Sequence, residues 1–285
     1  PSASPRRPPS TLGTCPPTLT LPVRTPTVHG RTSPRGEEGA PPEPVQAGGE
    51  HALDDGPDYS FSGIHFFAGA QRHADSISGH AHTMGGCVAD VDIGTGGASH
   101  DLRNPAVRDR WRRRLQRGTT DCTWHGGPCA TFSPRHVPQL RSRWEPEGMQ
   151  FMPEEWRVHV AHANTLWEVT ALLARDQHDA GGEFVIEFPQ RRYVRGKRAF
   201  WAEMATLGVA SPGDLPCMLA LERDTGAVRI DLSQCAWGSR FQKFTTLLCS
   251  PRMAARLAHM GERSCRLCDL YAPHEERATG TFADG

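Results

Sequence analysis

"SGIHFFAGAQRHADSISGHAHTMGGCVADVDI", residues 62–93, moves through four textures. Ile64, Phe66 and Phe67 form a short apolar run of strand type, and Gly69 marks a turn directly after it. A helical stretch follows and closes on Gly85-Gly86. "CVADVDI" (87–93) is then a second strand that ends in acidic residues.

The same alternation continues downstream. "DLRNPAVRDRWRRRLQRG" (101–118) predicts a helix with Asn104 as its cap, Pro105 at its first position and Gly118 just past its end. "TTDCTWHGGPC" (119–129) is a third strand running into a Gly-Pro turn. Val158, Ala161, Leu166, Val169, Leu172 and Leu173 recur at helical spacing within residues 154–182, which end in a double glycine. "EFVIEFP" (183–189) is a compact apolar strand, and "CMLALERDTGAVRIDLSQCAW" (217–237) predicts a β-hairpin turning at Asp224-Thr225-Gly226. Strands alternating with helices predict a mostly parallel α/β sheet covered on both faces. In such sheets ligands sit beyond the carboxyl ends of the strands. Gly69, Asp92, Cys129 and Glu187 all fall at predicted strand ends.

Composition bounds the rest. The apolar fraction is 37% over 285 residues, and 13 of the 24 prolines lie in the first sixty. Residues 1–58 therefore read as a disordered Pro/Gly-rich tail. Residues 59–250 read as the folded domain, and 251–285 as a C-terminal extension. A proline start and an open end suggest a piece of a longer product. The sequence contains neither an apolar run of membrane-span length nor a signal-peptide pattern. Nine irregularly spaced cysteines favour a reducing compartment, so an intracellular location, nuclear or cytoplasmic, is expected. Formal net charge is zero, but arginines cluster in residues 111–117, 135–143 and 190–198. Such runs are solvated faces or phosphate contacts. The last two adjoin the strongest motifs.

Those motifs are "HGGPCATFSP" (125–134) and "VIEFPQRR" (185–192). A thiol mounted behind a proline in a Gly-rich turn suits a nucleophile, which needs exposure and nearby positive charge. Arg135 and His136 are at hand to supply it. The bland alternative for Cys129 is a structural cysteine near a turn. Glu187 sits among apolar strand residues, where a carboxyl is biased toward its protonated form and suits a proton donor to a ring nitrogen. Its bland alternative is an ion pair with Arg191 or Arg192. Asp92, in preference to Asp90, could accept from ribose hydroxyls. Asp101 could accept from an adenine amine or cap a turn. "CRLC" (265–268) with His274 offers too few ligands to close a zinc site, so no metal is expected. The imidazoles of residues 73–82 are assigned no role.

In this order the motifs "HFFAGA", the acidic strand end, "GGPCATFS" and "VIEFP" resemble the cytosine-C5 DNA methyltransferases. "DVDIG", "DLRNP", "LRSRWEPEG" and "QCAWGSRFQKFTTLL" more closely resemble a divergent methyltransferase-like group from algal, protist and viral genomes, often inside mobile-element polyproteins. The resemblance covers roughly residues 62 to 275. It implies the Rossmann-like, doubly wound fold of class I methyltransferases, with S-adenosyl-L-methionine as cofactor and nucleic acid, DNA first, as partner. Phe67 and Gly69 would form the cofactor turn, Asp92 would hold the ribose, and Asp101 would face the adenine. Pro128, grouped with these cofactor-side residues, would also fix the loop.

By the same resemblance Cys129 would add to cytosine C6 while Glu187 hydrogen-bonds N3 and the exocyclic amine. Ser133, Arg135, Arg191 and Arg192 would contact the nucleic acid around an extruded base. The chain departs from the family pattern in three places. Phe188 stands where the family has Asn, the second glycine pair of the loop is missing, and little chain remains for a target-recognition segment. These departures keep a second expectation open: a catalytically silent, Rossmann-like nucleic-acid-binding module.

Overall fold

The computed structural model describes residues 60–69, 76–133, 136–190, 208–237, 241–270 and 276–277. The Pro-rich segment 1–58, Arg135, Arg191, Arg192 and His274 lie outside the described residues. The side chains of Cys265 and Cys268 do too.

In chain order the elements are β1 (Ser62–Phe66), α1 (Ile77–Thr83), β2 (Cys87–Val91), α2 (Ile93–Gly96), α3 (Pro105–Gln116), β3 (Cys122–His125), α4 (Glu154–Asp179) and β4 (Glu183–Pro189). They continue with α5 (Pro216–Thr225), β5 (Val228–Ser233), β6 (Phe241–Gln242), β7 (Phe244–Cys249), α6 (Pro251–Leu270) and β8 (Glu276–Arg277). The expected alternation through β4 is what the chain adopts. Helix starts follow elementary capping: Ser76 accepts from the Gly79 amide, and Asn104 accepts from the Ala106 amide ahead of Pro105.

Six strands form one mixed sheet in the order β2-β1-β3-β4-β7-β5. The first four are parallel, and β7 lies antiparallel between β4 and β5. β6 and β8 make a separate short parallel pair.

Side-chain alternation along β4 shows both faces covered. Phe184, Ile186 and Phe188 are fully buried with Trp167 of α4 and Met218 and Leu221 of α5. Val185, between them, joins Ile230, Cys249 and Ala254 of α6 on the opposite face. A further cluster sets Ile64, Phe66 and Val91 against Trp111 and Leu115 of α3 and Leu173 of α4. The segment expected as an extension thus begins with a helix that packs on the sheet. Among the described residues no helix is long and apolar enough to cross a membrane.

Two local expectations are corrected. Residues 217–225 form a helix rather than the first arm of a hairpin. Pro216 starts it, Met218, Leu221 and Thr225 share its buried face, and Gly226 ends it in the left-handed conformation (φ +67°). On α4 the buried stripe runs through Val160, Ala163, Trp167, Val169, Ala171, Leu173 and Ala174, while Val158 is 56% exposed. Trp167, the largest fully buried side chain, anchors this face, and Val158 and Ala161 lie on the exposed side.

Candidate active site at the carboxyl edge of the sheet

Register brings the separate motifs into one row. Val91 pairs with Phe66, Phe66 with His125, and His125 with Ile186. The next residue on each strand is Asp92, Phe67, Gly126 and Glu187, so these four stand side by side at one edge. Neighbouring strands lie about 4.8 Å apart, which spans the row in roughly 15 Å of backbone.

The β1 turn is tied to the end of β2. Phe67 adopts φ +62°, an uncommon conformation for a large side chain, and its amide donates to the Val91 carbonyl at 2.8 Å. Gly69 has φ +80° with open space where a Cβ would stand, so conformation rather than crowding requires glycine there. The Gly69 amide donates to Asp92 Oδ2 (3.1 Å), and the Gly94 amide donates to Oδ1 (2.7 Å). Each oxygen keeps a second acceptor position. Asp90, by contrast, accepts from Ser78 Oγ (2.7 Å) and lies 3.5 Å from His65 Nδ1. Asp101 accepts from Arg103 three times, from the backbone amide at 3.0 Å and from Nε and Nη2 at 2.8 Å. That fork holds its carboxyl below the usual carboxylate range.

The loop after β3 is held from below. A Cβ on Gly127 would meet the Trp167 ring at 2.8 Å, so only glycine lets the backbone lie on the indole. Trp167 Nε1 in turn donates to the Pro128 carbonyl at 2.9 Å. Cys129 is half-buried, not in a disulfide, and precedes a 3₁₀ turn over Ala130–Phe132, where the Phe132 amide donates to its carbonyl at 3.0 Å. The Ser133 amide closes the same turn on the Ala130 carbonyl, and His136 Nε2 lies 3.0 Å from that oxygen.

Behind the turn, Arg141 is 1% exposed. Its guanidinium lies 4.0 Å from the Phe132 ring centroid and donates to Thr131 Oγ1, the Pro146 carbonyl, Asn164 Oδ1 and the Val160 carbonyl. Burial lowers its pKa to about 10. The phosphate-contact expectation for this arginine run therefore fails at Arg141, which pins the Cys129 loop to α4. Arg143 is exposed and stacks on Trp144 (4.2 Å).

Beneath the row lies His125, 1% exposed and stacked on Phe66 at 5.0 Å. Nε2 is 3.0 Å from Thr123 Oγ1, while Nδ1 has no hydrogen-bond partner among the described residues. Burial, then the neighbouring His65, pushes its pKa down to about 3.

Glu187 does not have the apolar surroundings expected of it. Its side chain is 33% exposed, Oε1 lies 3.1 Å from Lys243 Nζ, and the Thr245 hydroxyl donates to the same oxygen at 3.3 Å. Phe188 is fully buried and packs edge-to-face on Trp167 (6.2 Å). The position where the family pattern has Asn is a core position here. Arg141, Trp167, His125 and Lys243 are site residues the sequence reading missed. Their signals were weak: a tryptophan on a helix, an arginine inside a basic run, a histidine before a glycine pair, a lone lysine.

No protein-family model matches the chain, and no curated protein matches it in sequence.

Proposed function

We propose that this domain is a Rossmann-like, class I S-adenosylmethionine-dependent methyltransferase that acts on C5 of cytosine in nucleic acid, with DNA as the substrate tested first. The observation that carries the proposal is the register row. It gathers a left-handed glycine turn, an acidic strand end, the root of a Pro-Cys loop and a carboxylate onto four adjacent strand ends. That edge is where open α/β sheets bind ligands.

The residues present fit the cofactor. Gly69 leaves backbone space open, and Asp92 retains acceptor positions for hydroxyl groups beyond its two amide bonds. Phe67, Gly69 and Asp92 would hold it, with Pro128 and Asp101 at the margins. When bound it supplies an electrophilic methyl group.

The chain's own groups handle the base. Cys129, as thiolate, adds to C6, and the electron pair of the C5–C6 bond becomes available at C5. Glu187 would accept from the exocyclic amine and hold the base in place for that addition. Once C5 has taken the methyl group that the cofactor would supply, loss of the C5 proton expels the thiolate and restores the C5–C6 double bond. The Trp167 hydrogen bond to the Pro128 carbonyl anchors the loop next to Cys129, which would orient the thiol before substrate arrives. Ser133, Arg135, Arg191 and Arg192 would contact phosphates flanking the extruded base.

Two observations favour a second reading, a catalytically silent nucleic-acid-binding module: Glu187 is already ion-paired, and Phe188 belongs to the core. Transfer of labelled methyl groups onto mixed DNA and RNA separates the two. The methyltransferase reading expects label in the cytosines of DNA and none from Cys129→Ser. Oligonucleotide binding that weakens with salt, with neither label nor calorimetric binding of S-adenosylmethionine, would leave the silent module.

A further inference from the structure

We propose that Lys243 is a specificity-determining residue which, paired with Glu187, reads the Watson–Crick edge of an extruded cytosine; this rests on the function proposed above. β7 runs antiparallel to β4, and Pro189 pairs with Thr245. The start of β7 therefore lies beyond the carboxyl end of β4, at the edge that carries the other site residues. Lys243 is the residue just before that strand.

Its backbone is fixed there, because the Gln234 amide donates to the Lys243 carbonyl at 2.9 Å. Its ammonium lies 3.1 Å from Glu187 Oε1, and both side chains remain over 30% exposed (38% and 33%). The Thr245 hydroxyl accepts from Gln234 Nε2 (3.1 Å) and donates to the same Oε1. Both of these contacts to Glu187 fall on Oε1. The arrangement is an acceptor-only carboxylate oxygen beside a donor-only ammonium, held by a hydroxyl whose own orientation is set.

That pair is a poor stability device. Exposed ion pairs contribute about 0–1 kcal/mol. It is a good reader of one pyrimidine. Cytosine presents an amine donor at C4 and acceptors at N3 and O2. Glu187 Oε2 accepts from the amine while Lys243 donates to N3 and O2. Uracil and thymine present an acceptor at C4 and a donor at N3, so each would set oxygen against carboxylate and N–H against ammonium. A site built to hydrogen-bond rejects such partners strongly. Lys243 and the Thr245 hydroxyl both hold Glu187 Oε1, so the Asn absent at position 188 is not needed to order the carboxylate.

The test uses the full chain and duplex oligonucleotides with one bulged cytosine or one bulged uracil, followed by fluorescence anisotropy, with thermal melting as the folding control. Wild type should prefer cytosine by about 10- to 100-fold. Lys243→Met should bring that ratio near one, and Lys243→Arg should restore most of it. A merely structural lysine would weaken both oligonucleotides together and leave the ratio unchanged. If Lys243→Met does not fold, Lys243→Gln is read in the same way. A variant that keeps the wild-type ratio overturns the role of Lys243 alone, provided wild type still transfers labelled methyl groups to DNA. A wild type with neither cytosine preference nor label transfer overturns the underlying reading as well.

Discussion

Acid should destabilise this domain through His125 more than through any exposed histidine. The ring is buried and stacked on Phe66, and Thr123 Oγ1 is its one hydrogen-bond partner among the described residues. In the fold its pKa falls to about 3, against an ordinary histidine value near 6.5 in the unfolded chain. Between those values the unfolded chain binds a proton that the native chain does not. Stability contributed by this group is therefore full above about pH 6.5 and is lost as pH falls toward 3. At about pH 4.5 the loss spans two pH units, or roughly 2.5 kcal/mol. Urea unfolding of wild type and His125→Phe at pH 7 and pH 4.5 measures it, since groups common to both proteins cancel in the difference. Phe keeps the stacking on Phe66 and cannot titrate, so its loss should be smaller by about 2 kcal/mol or more. Equal losses in the two proteins would refute the burial argument.

Three further outcomes follow from the loop and its supports. Gly127→Ala should lower stability by about 1–3 kcal/mol, because the added methyl meets Trp167 at 2.8 Å and must push the loop off the indole; a melting shift under 1 °C would contradict this. Arg141→Met strands the carbonyls of Pro146 and Val160 and should cost about 3 kcal/mol, a fall in Tm of roughly 6–12 °C by calorimetry. Asp92→Ala releases the Gly69 and Gly94 amides and should weaken S-adenosylmethionine at least tenfold in calorimetry, by about 1.4 kcal/mol or more, with a much smaller effect on Tm.

Much of the architecture was legible because local signals and fold agree. Asn104, Pro105 and Gly118 mark α3, and the apolar runs mark β1 to β4. The site row was legible for the same reason, since in a parallel sheet the strand ends share an edge. What escaped depended on contacts between distant segments. Asp224-Thr225-Gly226 reads as a hairpin turn, yet the same glycine serves as a left-handed helix terminator once Met218 and Leu221 have a sheet face to cover. Arg141 looks like one more exposed arginine until carbonyls from α4 and the preceding loop converge on it. Glu187 reads as buried because its neighbours are apolar, but alternation sends Ile186 and Phe188 to one face and leaves the carboxylate beside Lys243.

Every proposed step of the chemistry depends on a covalent bond between Cys129 and cytosine C6. A DNA duplex carrying 5-fluorocytosine, incubated with the protein and S-adenosylmethionine, tests it most directly, because fluorine at C5 blocks release of the thiolate. The expected result is a denaturation-stable adduct whose digest places the base on the peptide containing Cys129, with no adduct from Cys129→Ser. Identical behaviour of the two proteins, with or without DNA binding, would contradict it.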